Sequence, residues 1–247
     1  MLVSKAPEII GNLLGFQITN TILTSVIISI IFIIFVVFVS GNIDLIPSKI
    51  QSLIEIIYDF LKNLISEQTD GDHQRILMFF PWVGAFFLFI AVSNLLELIP
   101  GAGIISIEIL EHGKYIPLFR TPNSDLNSTV ALTFISVIIT QYFAFKLMGW
   151  KAHLKRYFNF RHPLDIFAGL FEFISEFTKV ISLSFRLFGN IYAGDVIILL
   201  FTKLGGEFLL PLPFLAFEIL VDIIQAGIFA MLTLSFMAIL TDKNPVL

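Results

Sequence analysis

Thr21 to Val39 is an apolar run without a single charge. About 20 such residues cross the hydrocarbon core of a bilayer as a helix, so 21–39 is predicted as a first span. Gly41 and Asn42 end it. The pattern then changes. Ile50, Leu53, Ile54, Ile57, Leu61 and Leu64 recur at helical spacing while Lys49, Glu55, Asp59 and Lys62 take other faces. This predicts an amphipathic helix over 47–65 that lies on the membrane surface or on a partner. A polar stretch, Glu67 to Arg75, leads into a second apolar run over 76–99, with Pro81 placed in a first turn or at a kink. Glycines and prolines mark Pro100 to Asn127 as a loop, and a third span covers 128–148 with Asn127 or Ser128 as its cap.

Two longer elements follow. No proline occurs between Pro163 and Pro211, so a helix over 163–203 would run about 60 Å at 1.5 Å per residue, twice the hydrocarbon thickness. It must tilt, break or project into water. Gly205, Gly206, Pro211 and Pro213 mark a turn, and a last helix is expected over 214–240. The fold class is therefore an all-α integral membrane protein, a single membrane domain over 1–247. It has about five membrane-embedded helices and one amphipathic surface helix, the last two spans being long and strongly tilted.

Composition agrees: 57% of residues are hydrophobic and 14% charged, far outside the soluble range. A net charge of −4 gives no reason to expect nucleic acid. There is no cysteine, and His73, His112, His153 and His162 fall in predicted loops without metal-ligand spacing, so neither a metal nor a cofactor is expected. No Gly-rich phosphate loop with its lysine precedes a helix, so no direct nucleotide binding is expected. Pro7 and Glu8 stand where a signal peptide would need a basic region, and the start is read as mature chain. Lys151, Lys155, Arg156 and Arg161 crowd one short connection. That excess places the connection on the inner face, the amino terminus outside and the carboxyl terminus inside.

The candidate chemistry lies on the two long helices. The first carries Glu172, Glu176, Lys179, Arg186, Asn190 and Asp195, and the second Glu218, Asp222 and Gln225 at i, i+4 and i+7. Charges inside a membrane are costly and point to function. Arg186 cannot shed its proton, so it must meet a carboxylate or water. Glu172, Lys179, Ser182, Asn190 and Ala193 share its face of an ideal helix, and Asp195 lies opposite. From the topology, Glu172 and Glu176 lie in the inner half, Arg186 near the middle, and Asp195, Glu218 and Asp222 in the outer half. Two acidic half-paths separated by an unprotonatable barrier would work with a carrier on another subunit that moves laterally between them. For Glu176 and Lys179, three residues apart, a structural ion pair explains the spacing equally well. A self-contained transporter would instead show internal repeats, and none is found.

SLSFRLFGNIYAGD and FEILVDIIQAGIF, with NLLELIPG and DLNSTVALT before them, resemble subunit a of the rotary F-type ATP synthase over most of the chain. The resemblance implies a stator without catalysis of its own, beside a ring of c subunits and with peripheral-stalk b subunits and other ATP synthase subunits as partners in the lipid bilayer. It implies that Arg186 is the essential arginine, Asn190 and Gln225 are polar channel residues and Glu172 is the inner acid. Asp195 and Glu218 fall where the family has an interacting pair, often Glu and His. Here the first is a shorter acid and the second is not His, and Asp222 is an additional acid. The expected coupling ion is the proton in preference to sodium, and the expected membrane is a bacterial plasma membrane.

Overall fold

The computed structural model of the protein describes residues 8–13, 16–41, 44–98, 106–109, 114–117, 120–157, 163–205 and 211–242. A short antiparallel hairpin, β1 (Ile9–Leu13) and β2 (Phe16–Thr19), leads into α1 (Asn20–Ser40). Then come α2 (Lys49–Gln68), α3 (His73–Glu97), a second hairpin of β3 (Ser106–Ile109) and β4 (Lys114–Pro117), and a 3-10 turn at Pro122–Ser124. The chain closes with α4 (Leu126–Met148), α5 (Trp150–Tyr157), α6 (Pro163–Gly205) and α7 (Pro211–Thr241). Five of the described helices, α1, α3, α4, α6 and α7, are long and apolar enough to cross a membrane. The all-α membrane fold class stands.

Several boundaries and caps differ from the sequence reading. The polar stretch at Glu67 to Arg75 shrinks to a tight turn, because Asp70 and Gly71 take positive φ (52° and 72°) and let α2 fold straight into α3. Asp72 then caps α3, accepting from the amides of Gln74 and Arg75 and from Arg75 Nε at 3.1 Å. That charge-assisted bond holds its carboxyl below the usual aspartate range. Because α3 starts at His73, Pro81 lies inside the helix and not in its first turn. The cap of α4 is Asp125, not Asn127 or Ser128. Its carboxylate accepts from the Asn127 amide at 3.0 Å and also from Thr21 Oγ1 of α1 at 3.4 Å, a tertiary contact that sequence spacing does not show. The predicted loop Pro100–Asn127 contains β3, β4 and the 3-10 turn, and the basic connection contains α5. His73 and His153 accordingly lie on helices, not in loops; His112 and His162 fall outside the described residues.

The core is built by α3, α4, α6 and α7. Phe79, Val83, Phe86 and Ile90 of α3 meet Ile139 and Phe143 of α4, Leu183 and Leu187 of α6, and Phe229, Leu234 and Met237 of α7. Phe86 and Phe229 lie 5.6 Å apart, Phe79 and Phe143 5.2 Å. One hydrogen bond, Ser136 to Thr233 at 2.8 Å, ties α4 to α7 inside this apolar layer. Helix α2 rests on α3 through its C-terminal half, where Leu61 and Ile65 are buried, while Ile50 and Leu53 stay exposed. Helix α1 is exposed over most of its length, from Ile30 to Phe38, as a lipid-facing helix would be.

Candidate functional site

Helices α6 and α7 pack against each other and α4, and the polar residues of this pair sort into three places. In the middle of α6, Arg186 is exposed and, among the described residues, makes no hydrogen bond or ion pair. Ser182, Asn190 and Ala193 are exposed with it, forming a short polar strip flanked by the outward-facing Ile181 and Phe185. Asn190 is the link to α7: its Nδ2 donates to Gln225 Oε1 at 2.7 Å, and Gln225 is buried.

Toward the C-terminal end of α6 lies an acidic group. Glu218 and Asp222 of α7 are both buried, and Asp195 and Asp222 are near enough to Glu218 for their charges to repel its own. Glu218 Oε2 has no hydrogen-bond partner among the described residues. Glu218 approaches α6 this closely because residue 194 is glycine, since a Cβ there would collide with the Glu218 carboxylate. Asn190, Gly194, Glu218 and Asp222 line a cavity of about 570 Å³ between the two helices, with Ile197 and Phe217 on its walls. That volume holds several waters at about 30 Å³ each.

Arg120 joins this group from just before the 3-10 turn, which packs on α6. It is buried, its Nε donates to Ser124 Oγ at 2.8 Å, its amide donates to Thr24 Oγ1 at 3.3 Å, and its charge acts on Asp195. Sequence reasoning missed it, because an isolated arginine in a Gly- and Pro-rich stretch carries no periodic signal. Asn94 of α3 is buried nearby and accepts from Asn123 Nδ2 at 2.6 Å.

Toward the N-terminal end of α6 the acids have cations. Glu172 Oε1 lies 3.0 Å from Arg156 Nη2 of α5. Glu176 Oε1 accepts from Lys179 Nζ at 2.7 Å, and that ammonium sits 4.7 Å over the Phe236 ring of α7. Glu172 and Lys179 therefore leave the Arg186 strip, which helical angles alone had joined into one face. Helix α5 lies tight against α6, because a Cβ on Gly169 would collide with the Tyr157 carbonyl.

Chemically, the carboxylates can bind and release protons and the arginines cannot. The geometry thus holds a cavity-facing acid group at one end, a paired acid group at the other, and an exposed fixed cation between them.

The model of the family described as ATP synthase A chain matches residues 22–238. The chain belongs to that family. It is a multi-pass subunit of the membrane sector of an F-type ATP synthase. Similar proteins include an ATP synthase subunit a of Desulfotalea psychrophila, 35% identical over 81% of this chain and 75% of that protein. A Legionella pneumophila subunit a is 31% identical over 91% of this chain and 87% of its own length. An ATP synthase subunit a of Propionigenium modestum described as sodium ion specific is 29% identical over 94% of this chain and 77% of that protein. The family match spans α1 to α7 and so includes every residue of the three places described above.

Proposed function

We propose that the chain is the ion-translocating stator of a bacterial plasma-membrane F-type ATP synthase, with its amino terminus outside and carboxyl terminus inside, passing protons to and from a ring of c subunits. In this reading Asp195, Glu218 and Asp222, with the cavity that Glu218 and Asp222 line, form the outer half-path. Asn190 and Gln225 lead from it to the exposed face of α6, and Glu172, with Glu176 beside it, serves the inner half-path. Arg186 separates the two. Peripheral-stalk b subunits hold the chain against the torque of the ring, and the subunit itself performs no catalysis.

The observation that carries this reading is Arg186, exposed at the middle of α6 without a partner among the described residues. A guanidinium in hydrocarbon needs a carboxylate or water. A ring of acid-bearing carriers sliding past this face provides one, and the arginine keeps ions from leaking directly between the half-paths. Each charge that crosses supplies about 2.3 kcal/mol per 100 mV.

Arg186→Ala is expected to abolish ATP synthesis in the assembled complex while the protein still inserts, and Arg186→Lys to fail largely, since an ammonium is a compact charge with a movable pKa. Normal synthesis by Arg186→Ala would overturn the reading. Cysteines at 218 and 222 should react with water-soluble thiol reagents from outside and one at 172 from inside. The native chain has no cysteine to confuse the assay. The likeness to a sodium-specific relative favours sodium as a second coupling ion; synthesis driven by a proton gradient in sodium-free medium separates the two.

A further inference from the structure

The short helix α5 sits on the inner acids, and His153 is one of the residues that hold it there. His153 is 2% exposed. Its ring lies edge-on to Phe145 at 4.5 Å and to Tyr157 at 5.3 Å, and its Nε2 is 2.7 Å from Gln141 Oε1. Gln141 Nε2 donates to the Tyr157 hydroxyl at 3.3 Å. With the amide in that orientation its oxygen can only accept, so His153 Nε2 donates and the neutral ring keeps its lone pair on Nδ1. Among the described residues Nδ1 is buried without a hydrogen-bond partner. A phenylalanine would fill the same space without an unpartnered ring nitrogen, but it would leave Gln141 Oε1 without its donor.

The groups around this ring are few. Helix α4 presents Gln141 and Phe145, both uncharged; α5 presents Arg156 and Tyr157; α6 presents Glu172 and Glu176. Arg156, in the short helix that follows α4, is the residue that pairs with Glu172. The Gln141–His153–Tyr157 chain and the Arg156–Glu172 pair are thus the fastenings of one helix.

We propose that His153 is a positioning residue of the inner ion path: bonded to Gln141 and held between Phe145 and Tyr157, it keeps Arg156 on the Glu172 carboxylate, and a proton on Nδ1 releases that hold. This rests on Glu172 being the inner acid. Burial first, and the Arg156 charge second, push the imidazole below its ordinary 6.5, against the weaker pull of Glu176 and Glu172. The ring is therefore neutral at neutral inner pH and α5 is docked. The sign follows from linkage. A histidine whose docked pKa is lowered gives a dock at full strength above the ordinary value and weakened as pH falls through it. An acidifying interior then loosens α5, moves Arg156 off Glu172 and frees that carboxylate to exchange protons with inner water.

The test uses the assembled synthase in inverted membrane vesicles, whose medium is the inner side. ATP-driven proton uptake is measured for each variant as a ratio to the unmodified complex at about pH 7.5 and about pH 5.5, either side of the imidazole range. Taking the ratio cancels the pH dependence of ATP hydrolysis. His153→Asn keeps a donor for Gln141 without a titratable ring, so it is expected to match the parent at the higher pH and to fall about threefold behind it at the lower, because it cannot open. His153→Phe removes the bond to Gln141, so its dock is loose at both pH values and it should exceed the parent at the higher pH and equal it at the lower. Arg156→Gln leaves Glu172 permanently free and should exceed the parent at the higher pH and equal it at the lower. Should His153→Phe fail to assemble, His153→Asn and the part-exposed Arg156→Gln carry the same comparison. Flat ratios for the assembled His153 and Arg156 variants, with Glu172→Gln slow, overturn this proposal alone. A Glu172→Gln complex that runs at the parental rate at both pH values overturns the inner-path reading and this proposal with it.

Discussion

The two ends of α6 meet the same cost, a carboxylate taken out of water, in opposite ways. At the N-terminal end two acids have cations: Glu172 has Arg156 and Glu176 has Lys179. At the other end Glu218 and Asp222 are buried together, one Glu218 oxygen has no partner among the described residues, and both line a cavity. Paired charges are held and released by other side chains, whereas unpaired acids beside water exchange protons with it. In the proposed reading the inner end is therefore opened and closed, and the outer end conducts whenever water reaches it. Glycine marks both. Gly169 lets α5 close on α6 backbone to side, and Gly194 lets a carboxylate lie in a helix groove.

The largest expected effect comes from removing the outer exchangeable proton. Glu218→Gln should slow ATP-driven proton uptake roughly 10²-fold, the scale on which a positioned acid–base group acts. Glu172→Gln should slow it less, because Glu172 is part-exposed and water can stand in for it. Glu218→His combined with Asp195→Glu should restore uptake with a shifted pH profile. An unchanged rate and pH profile in Glu218→Gln would make Glu218 structural and Asp222 the next outer acid to test.

The Glu176–Lys179 pair separates architecture from path. Both side chains are 14% exposed, so Lys179→Met alone leaves a nearly buried charge and should destabilise by about 3 kcal/mol, while Glu176→Leu with Lys179→Met should come out near neutral. Thermal denaturation of the purified complex reads the first quantity and ATP synthesis the second. If the double variant synthesises ATP normally, Glu176 belongs to the architecture. If synthesis is lost with stability intact, Glu176 belongs to the inner path.

How much of this was legible in the sequence follows from what each feature depends on. The five spans are local, since an apolar run of sufficient length can only cross, and α1, α3, α4, α6 and α7 fall within a few residues of 21–39, 76–99, 128–148, 163–203 and 214–240. The i, i+4, i+7 face of Glu218, Asp222 and Gln225 is local as well, and all three are buried. What failed depends on long-range contact. Asp125 outranks Asn127 and Ser128 as a cap partly because Thr21, 104 residues away, also bonds it. Helix α5 has only 8 residues, too few to hold together unaided. It is fastened by Gln141, Glu172 and the close approach at Gly169, none of which its own pattern shows. Arg120 reaches the outer acids only because the 3-10 turn folds back on α6.

The two glycines give a more graded test. Gly169→Ala drives a methyl into the backbone carbonyl of Tyr157, which cannot rotate away, so α5 must shift at a cost of about 1–3 kcal/mol. Gly194→Ala meets the far end of the flexible Glu218 side chain, which can turn aside at about 1 kcal/mol. The inner variant should therefore lower the thermal midpoint of the complex. The outer one should leave it nearly unchanged and instead alter the pH profile of proton uptake by moving the carboxylate out of its groove. Equal effects of the two variants on both readouts would show that the two close approaches are equivalent packing contacts.

The smallest effect distinguishes the two inner pairs from each other. Arg156 and Glu172 are 29% and 25% exposed at their side chains, twice the exposure of Glu176 and Lys179. A pair so placed gains little over its hydrated ions, so a double-mutant cycle on Arg156→Gln and Glu172→Gln should give a coupling under about 1 kcal/mol. Raising the ionic strength to about 1 M shortens the Debye length to about 3 Å, and the coupling should shrink further. The same cycle on Glu176 and Lys179, roofed by Phe236, should be larger and nearly indifferent to salt. Such a difference is what a releasable contact beside a permanent one requires. In the proposed mechanism Arg156 must let go of Glu172 at small cost for ions to pass, whereas Lys179 has no reason to leave. Equal couplings with equal salt dependence would mean that neither inner acid is gated by its cation, and the contrast between a closable inner end and an open outer end would lose its energetic basis.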